Sequence, residues 1–346
     1  MLKTLDITNF TCFPEAKLEF SPGLNVIVGE NGTGKSHLLK LGYAVLRSLR
    51  NMEKAPAKEA YGRDLASHLV ALFKPDSLGR LASRVQGQSR CEISATAKDV
   101  ANITFKFSTQ SSDIANIDKF DFKKPLPAKP LFIPPKEVLS VFKGFALAIE
   151  NKDFDFDETY LDICKNLSGV PLKGKTLADI AKHLNPLKEI MGGDMRLENN
   201  KYYFYSSKGK GSFEAHLMAE GSRKLGMLAY LLKTGELTNS SSLFWDEPEA
   251  NLNPKLLVNL AQILVDLSSI MQITIATHSL FLLREFDILL RKKISMPNKA
   301  IFTGLHIRDG GPVSCVQSKD IREIGNIAAL DASLEQTDRF MAARSL

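Results

Sequence analysis

Short, mainly apolar runs alternate along this chain with longer stretches whose apolar residues recur every three or four positions. The apolar runs are Leu24–Val28, Ser242–Trp245 and Gln272–Thr277, the length and character of strands covered on both faces. Between and after them the period is helical. Lys35–Arg50 carries Leu38, Leu41, Val45 and Leu49 on one face, and Pro254–Ser268 carries Leu256, Leu257, Leu260, Ile263, Leu264 and Leu267. Gly221–Leu232 and Leu280–Leu290 read as further helices. Strands alternating with helices predict an α/β fold with a mainly parallel sheet flanked by helices. Ahead of it, Leu5–Phe10 and Ala16–Phe20 read as N-terminal antiparallel strands, and Ser21-Pro22-Gly23 turns the chain into Leu24–Val28.

The middle of the chain changes character. Lys54–Arg84 has a helical pattern interrupted at Lys74-Pro75-Asp76, and Cys91–Ala97 with Ala101–Phe107 reads as a hairpin. Phe120–Pro135 is rich in Lys and Pro and reads as a loop leading into a short strand at Leu131–Pro135. Helical patterns follow at Val138–Ala148, Asp157–Leu167 and Thr176–Ile190. A second hairpin, Met195–Glu198 with Lys201–Tyr205, turns at Asn199-Asn200. The expected division is a head made of 1–50 and 218–319, an inserted α+β lobe over 51–217, and a tail over 320–346. The tail is helical, with Ile321, Ile324, Ile327 and Leu330 among alternating charges. Sustained heptads and internal repeats are absent from the sequence, so a long coiled coil does not fit.

Composition adds a few limits. At 346 residues the chain can bury a large core. No apolar run is long enough to span a bilayer and the N-terminus lacks a signal-peptide core, so a cytoplasmic protein without membrane contact is expected. The four cysteines, Cys12, Cys91, Cys164 and Cys315, are far apart and without metal-site spacing, and read as reduced thiols. A net charge of +6 makes nucleic acid an admissible partner. The basic clusters at 123–129, 207–210 and 291–293 are either phosphate contacts or a solvated lysine surface.

The chemistry begins at Gly29-Glu30-Asn31-Gly32-Thr33-Gly34-Lys35-Ser36, between a strand and a helix. It fits the phosphate-binding P-loop, G-x-x-x-x-G-K-[ST]. A triphosphate needs several backbone N–H donors converging on it, and a glycine-rich turn lets the backbone approach that closely. The helix behind adds partial positive charge. Lys35 is expected to reach the β- and γ-phosphates of ATP, and the Ser36 hydroxyl to hold Mg²⁺. Asp246-Glu247 closes a later strand, where ligands of such sheets bind. Asp246 would support the Mg²⁺ through water and Glu247 would polarise the attacking water. His278, at the end of the next strand, is expected to contact the γ-phosphate. No N-K-x-D motif of GTPases occurs; Asn151-Lys152-Asp153-Phe154 fails at its last position.

These segments together resemble an ABC-type ATPase head. The resemblance rests on Gly29–Ser36, on Met218-Ala219-Glu220-Gly221-Ser222-Arg223-Lys224, on Phe244-Trp245-Asp246-Glu247-Pro248-Glu249-Ala250-Asn251-Leu252-Asn253-Pro254 and on Ala276-Thr277-His278-Ser279. It is nearest to the AAA-type ATPases of the OLD, RecF and SMC-like group, whose heads open much like Asn9-Phe10-Thr11-Cys12-Phe13. It covers 1–50 and 218–280, with weaker likeness over 131–140. It implies that Gly29 to Ser36 bind nucleotide, that Glu247 is the catalytic base, and that His278 is the switch histidine. Asn251 and Asn253 match the loop that meets an opposite subunit. Gly221 and Ser222 fall in the signature motif that binds the partner subunit's ATP, so two heads would sandwich two ATPs in a homodimer or higher homo-oligomer.

One departure stands out: Ala219 occupies the signature position usually held by Ser. Ser222, the Gly221 amide, Arg223 or Lys224 are the available substitutes. Lys136 and Glu137 occupy the candidate place of a glutamine loop and receive no catalytic role. Phe10 and Phe13 either stack near adenine or pack in the core. The expected activity is Mg²⁺-dependent ATP hydrolysis serving as a dimerisation switch. Three roles compete: the ATPase subunit of a bacterial defence or toxin-like complex controlling a separate effector such as a nuclease, a DNA-repair or chromosome-associated ATPase, and a non-hydrolysing nucleotide-gated scaffold.

Overall fold

A computed structural model describes the whole chain except residues 51, 84–88, 152, 210, 293–299, 308–310, 326–327 and 344–346. In the last helix the side chains at 328–334 and 337 are likewise outside the description. Arg84, Lys152, Lys210, Lys293 and Ile327, and the side chain of Leu330, therefore lie outside the described residues. The elements run β1 (Leu2–Phe10), β2 (Phe13–Glu19), β3 (Leu24–Gly29), α1 (Lys35–Ser48), α2 (Lys58–Phe73), β4 (Arg90–Ala97), β5 (Ala101–Ser108), β6 (Asn116–Phe122) and β7 (Pro130–Ile133). Next come α3 (Phe142–Glu150), α4 (Glu158–Leu167), α5 (Gly174–Met191), β8 (Gly193–Glu198), β9 (Lys201–Ser206), β10 (Ser212–Glu214) and α6 (Glu220–Lys233). The chain continues through β11 (Ser242–Asp246), α7 (Pro254–Leu267), β12 (Gln272–Thr277), α8 (Leu280–Lys292), β13 (Ala300–Ile307), β14 (Val313–Ser318) and α9 (Ala328–Ala343).

The central sheet has the order β14-β13-β3-β12-β11-β7, with β14 antiparallel and the remaining pairs parallel. Its strands read as continuous apolar runs because both faces are covered. Alternate residues serve different cores. Leu24, Val26, Val28, Leu243, Trp245, Ile273 and Ile275 face the core that contains α6, α7 and α8. Ile27, Phe244 and Ala276 face the other core, with α1 and the antiparallel strands. Buried amides join the layers: Gln272 Oε1 accepts from the Leu2 amide at 2.8 Å, and its Nε2 donates to the Leu2 and Ser21 carbonyls at 2.7 and 2.9 Å.

The expected separation of an inserted lobe over 51–217 does not match the strand pairing. β4, β5 and β6 continue the antiparallel sheet β2-β1-β4-β5-β6, and β7 is an edge strand of the parallel sheet beside β11. Only later in the stretch, at β10-β9-β8, do strands pair apart from both. Pairing of β1 with β4 spans about eighty residues of sequence, so no local pattern could reveal it. β6, which runs only at its end into the Lys- and Pro-rich stretch, was not read as a strand from the sequence; its side chains are all exposed or half-exposed. The Asn199-Asn200 hairpin forms as expected, with φ of 49° and 58°, the left-handed pair that this tight turn requires. In the tail, Ile324 is buried and Ile321 packs on the core, while α9 lies against α8.

α1, the helix behind the P-loop, is fastened to α4 by polar contacts. Lys40 Nζ donates to Asp157 at 2.7 Å, Arg47 pairs with Glu158 at 2.7 Å and Asp162 at 3.2 Å, and the Tyr43 hydroxyl donates to Asp162 at 2.8 Å. Asp162 and Arg47 are largely withdrawn from water. Removing one partner of such a group leaves a desolvated charge. Arg47→Met is therefore expected to destabilise the chain by about 2–4 kcal/mol, and adding Asp162→Leu to recover part of that loss. Urea denaturation of the three proteins measures both; equal stability of parent and Arg47→Met would remove the ion pairs from the account.

Candidate nucleotide site

The P-loop forms where β3 ends. Gly32 and Gly34 have φ of 83° and 86°. A Cβ on Gly34 would lie 2.5 Å from Cys12 Sγ and 2.8 Å from the Phe13 ring, so the β1–β2 turn forms the wall against which the loop is pressed. Thr33 is buried and its hydroxyl donates to the Glu30 carbonyl at 2.8 Å. Glu30, Asn31 and Gly32 are exposed. The buried Lys35 turns back over the loop, with Nζ donating to the carbonyls of Gly29 at 2.9 Å and Glu30 at 2.8 Å. α1 begins without a side-chain cap and without an acidic residue in its first turn, which leaves its N–H groups available to an anion.

Opposite the loop stand the ends of β11 and β12. Ser36, at the start of α1, stands beside Asp246, close enough to favour its charged form. Asp246 is buried, and its Oδ1 has no hydrogen-bond partner. A buried carboxylate oxygen without a partner, beside a serine hydroxyl, is a donor set that fits a hard divalent cation. Glu247 has φ of 47°, its N–H donates to the Ala276 carbonyl at 2.9 Å, and its side chain is about one-third exposed. His278 Nδ1 lies 3.5 Å from Glu247 Oε1. Lys35 is lowered by burial, and Glu247, Asp246 and Glu249 act against that lowering.

The remaining expected residues form a second group. Gly221 and Ser222 start α6, where a Cβ on Gly221 would lie 2.6 Å from Leu252 Cδ2 and 3.0 Å from the Asn251 carbonyl. Asn251 is exposed, with φ of 63°. Asn253 is exposed, and its Oδ1 accepts from the Leu256 amide at 3.0 Å and caps α7. Ala219 precedes α6 and supplies no side-chain cap. Phe10 and Phe13 are both fully buried, Phe10 edge-on to Phe73, so each packs in the core and neither is free to stack on a base.

Three residues to which the sequence assigned no settled role complete the arrangement. Glu249 is buried and accepts from the Thr277 hydroxyl and the His278 amide. Lys224, fully buried on α6, donates to the Glu247 carbonyl at 3.3 Å. Glu137 is buried and takes the Arg223 guanidinium at 2.7 Å and the Ser140 hydroxyl at 2.5 Å, tying the loop after β7 to α6. A lysine at helical spacing with Gly221, Leu225 and Leu228 was the available signal for Lys224. Glu249 offered only its place two residues after Glu247. The basic clusters are partly used within the chain: Lys129 pairs with Glu236 and Arg291 with Asp287.

A glycine-rich loop closed by Lys35 and facing Asp246, Glu247 and His278 across neighbouring parallel strands defines an ATPase head of the P-loop class. Comparison with known proteins agrees. Residues 1–133 match the family described as an AAA ATPase domain. Residues 134–284 match the AAA domain family described as putative AbiEii toxin of a type IV toxin–antitoxin system. The chain is similar to the DNA replication and repair protein RecF of Magnetococcus marinus, with 34% identity over 116 residues, 30% of this chain and 29% of that one. With RecF of Pediococcus pentosaceus the identity is 27% over 158 residues, 45% of this chain and 36% of that one. The chain thus aligns with well under half the length of these relatives. Among solved structures it resembles an Smc head bound to the C-terminal winged-helix domain of ScpA, with a TM-score of 0.56, 15% identity, and 93% and 98% of the two chains covered. A second Smc head, with an extended coiled coil and bound to the C-terminal domain of ScpA derived from Pyrococcus furiosus, gives a TM-score of 0.51, 15% identity, and coverage of 98% and 99%. The two AAA matches, the similarity to RecF and the Smc-head fold together support an ABC-type P-loop ATPase head of the RecF- and SMC-like kind.

Burial pushes the Asp246 carboxyl up to about 6, against the pull of Ser36. A carboxyl that holds its proton more tightly in the native chain stabilises that state at low pH, and the stabilisation is lost as pH rises through its native value. Metal-free protein should therefore lose stability between about pH 4 and 6 from this group. Asp246→Asn should remove that part of the slope and raise stability at neutral pH by on the order of 1–3 kcal/mol. Urea denaturation in EDTA at acid and neutral pH gives the comparison, and a variant no more stable than its parent at neutral pH would reject the cost of a buried charge.

Proposed function

We propose that the chain binds ATP with Mg²⁺, hydrolyses it to ADP and phosphate, and uses the cycle to close and open a dimer of heads. The observation that carries this reading is the unpartnered Asp246 oxygen beside Ser36, with Lys35 and Glu247 close by. Bound Mg²⁺·ATP would supply the labile phosphoanhydride and a cation that offsets its charge. Lys35 exchanges the Gly29 and Glu30 carbonyls for phosphate oxygens. Ser36 and Asp246 would hold the metal. Glu247 orients the attacking water and accepts its proton, and His278 contacts the γ-phosphate.

Dimer closure is supported by the grouping of residues. Gly221 adjoins Asn251 and Leu252, so the segment that the resemblance assigns to a partner's ATP and the loop it assigns to an opposite subunit lie together. The proposed setting is a cytoplasmic defence or toxin-like complex in which the head controls a separate effector, a reading favoured by the description of the family matched over 134–284. The similarity to RecF favours a second reading, an ATPase acting in DNA repair. Among the described residues, no helix is long and apolar enough to cross a membrane.

Glu247→Gln keeps the shape and hydrogen-bonding capacity of the side chain and removes the base. ATP affinity should be retained while turnover falls about 10²–10⁴-fold, the range that loss of a general base costs. The variant should then accumulate as an ATP-bound dimer. Calorimetry with ATP, phosphate release and sedimentation with Mg²⁺ provide the three readouts. Turnover at the parent rate removes Glu247 from its role, whereas halted turnover without dimers keeps the base and rejects the sandwich.

A further inference from the structure

The half-exposed His278 ring is not held in place by packing, because its side chain retains 49% of its exposure. What fixes it is its backbone, and that backbone is fixed by one carboxylate from another strand connection. Glu249 lies in the loop after β11, and its side chain is 6% exposed. Its Oε1 accepts from the Thr277 hydroxyl at 2.6 Å and from the His278 N–H at 3.1 Å, and lies 3.6 Å from His278 Nδ1. Thr277 Oγ1 in turn accepts from the Ser279 N–H at 3.0 Å. The Thr277 hydroxyl and the His278 and Ser279 amides of the turn between β12 and α8 are thus tied directly or indirectly to Glu249. The second oxygen, Oε2, is buried without a hydrogen-bond partner.

A buried, half-satisfied carboxylate is an expensive way to close a turn, since a neutral group of similar shape would satisfy the same two donors with less desolvation. The charge has a further consequence here. It lies close enough to Lys35 and Lys224 to favour their charged forms, and it approaches the histidine ring from the side on which Glu247 also stands. We infer that Glu249 is a positioning residue for ATP hydrolysis, which clamps the Thr277–Ser279 turn so that His278 is presented to the γ-phosphate. The inference rests on the reading of His278 as a phosphate contact. The same loop carries Asn251 and Leu252 beside Gly221, and the Leu252 N–H donates to the Glu249 carbonyl at 3.1 Å, so movement of that loop reaches His278 through a single side chain.

The test uses the full chain. Hydrogen exchange without nucleotide should show Glu249→Ala exchanging about tenfold or more faster over the Thr277–Ser279 turn, with β3 and α1 unchanged. Binding of a fluorescent ATP analogue with Mg²⁺ should stay within about twofold, while kcat falls about tenfold to a hundredfold, the cost of a small misplacement at the reacting centre. Adding His278→Ala to Glu249→Ala should lower kcat no further than His278→Ala alone. Thr277→Val, which keeps the shape and removes one donor, should move exchange and kcat in the same direction by less, and it decides the matter if Glu249→Ala does not fold. Unchanged exchange in the turn, or losses that multiply in the double variant, would overturn the inference. Parent-like turnover by His278→Ala would instead remove the phosphate contact, and with it the catalytic meaning of the clamp, while the exchange result still reports whether Glu249 holds the turn.

Discussion

The site depends on the register of three parallel strands. β12 runs between β3 and β11, pairing Thr277 with Val28 on one side and Ala276 with Asp246 on the other. That alignment ends all three strands at one level. The P-loop, the acidic pair and the histidine emerge there together, although nearly 250 residues of chain separate the first from the last. Because side chains alternate between the faces, a slip of one residue in β11 would exchange the environments of Phe244 and Trp245 and carry Asp246 away from Ser36. Two full cores, one on each face of the sheet, resist that slip.

Charge placement is the second constraint. Lys35, Asp246, Glu249 and Lys224 are all buried within a small region; the desolvation of Lys35 is opposed first by Glu247 and that of Lys224 first by Glu220, with Glu249 adding to both. Such a group contributes little net stability, because desolvation and attraction nearly cancel. It is better understood as a site arranged around charges that ATP and a cation would complete. Lys35 resting on two loop carbonyls and Asp246 with an oxygen left over are complementary halves of that arrangement.

The connection from α6 to the site is made within one chain. Arg223 reaches Glu137 in the loop after β7, Lys224 reaches the backbone of Glu247, and Gly221 lets the helix start press on Asn251 and Leu252. The helix that begins at the signature segment therefore touches both the loop of Glu247 and the loop after the edge strand β7. α4, held on α1 by Lys40, Tyr43 and Arg47, adds a contact from the other side of the P-loop helix. Ala219 weakens none of these contacts, since it contributes no side-chain cap to α6.

What the sequence determined by itself was everything local. The P-loop was legible because its chemistry needs glycines, a lysine and a serine at set spacing, and β3, β11 and β12 were legible because strands buried on both faces are apolar throughout. Asp246, Glu247 and His278 were found as the polar residues that end those runs. Where the chemistry depends on pairing across distance, the sequence was silent. The division of 51–217 among three sheets, the burial of Phe10 and Phe13, the capping role of Asn253 and the positions of Glu249, Lys224 and Glu137 were decided by tertiary structure. The physical reason is common to all of them. A carboxylate or a lysine acquires its role from the groups that replace water around it, and those groups are brought there by strand register and helix packing between segments far apart in the chain.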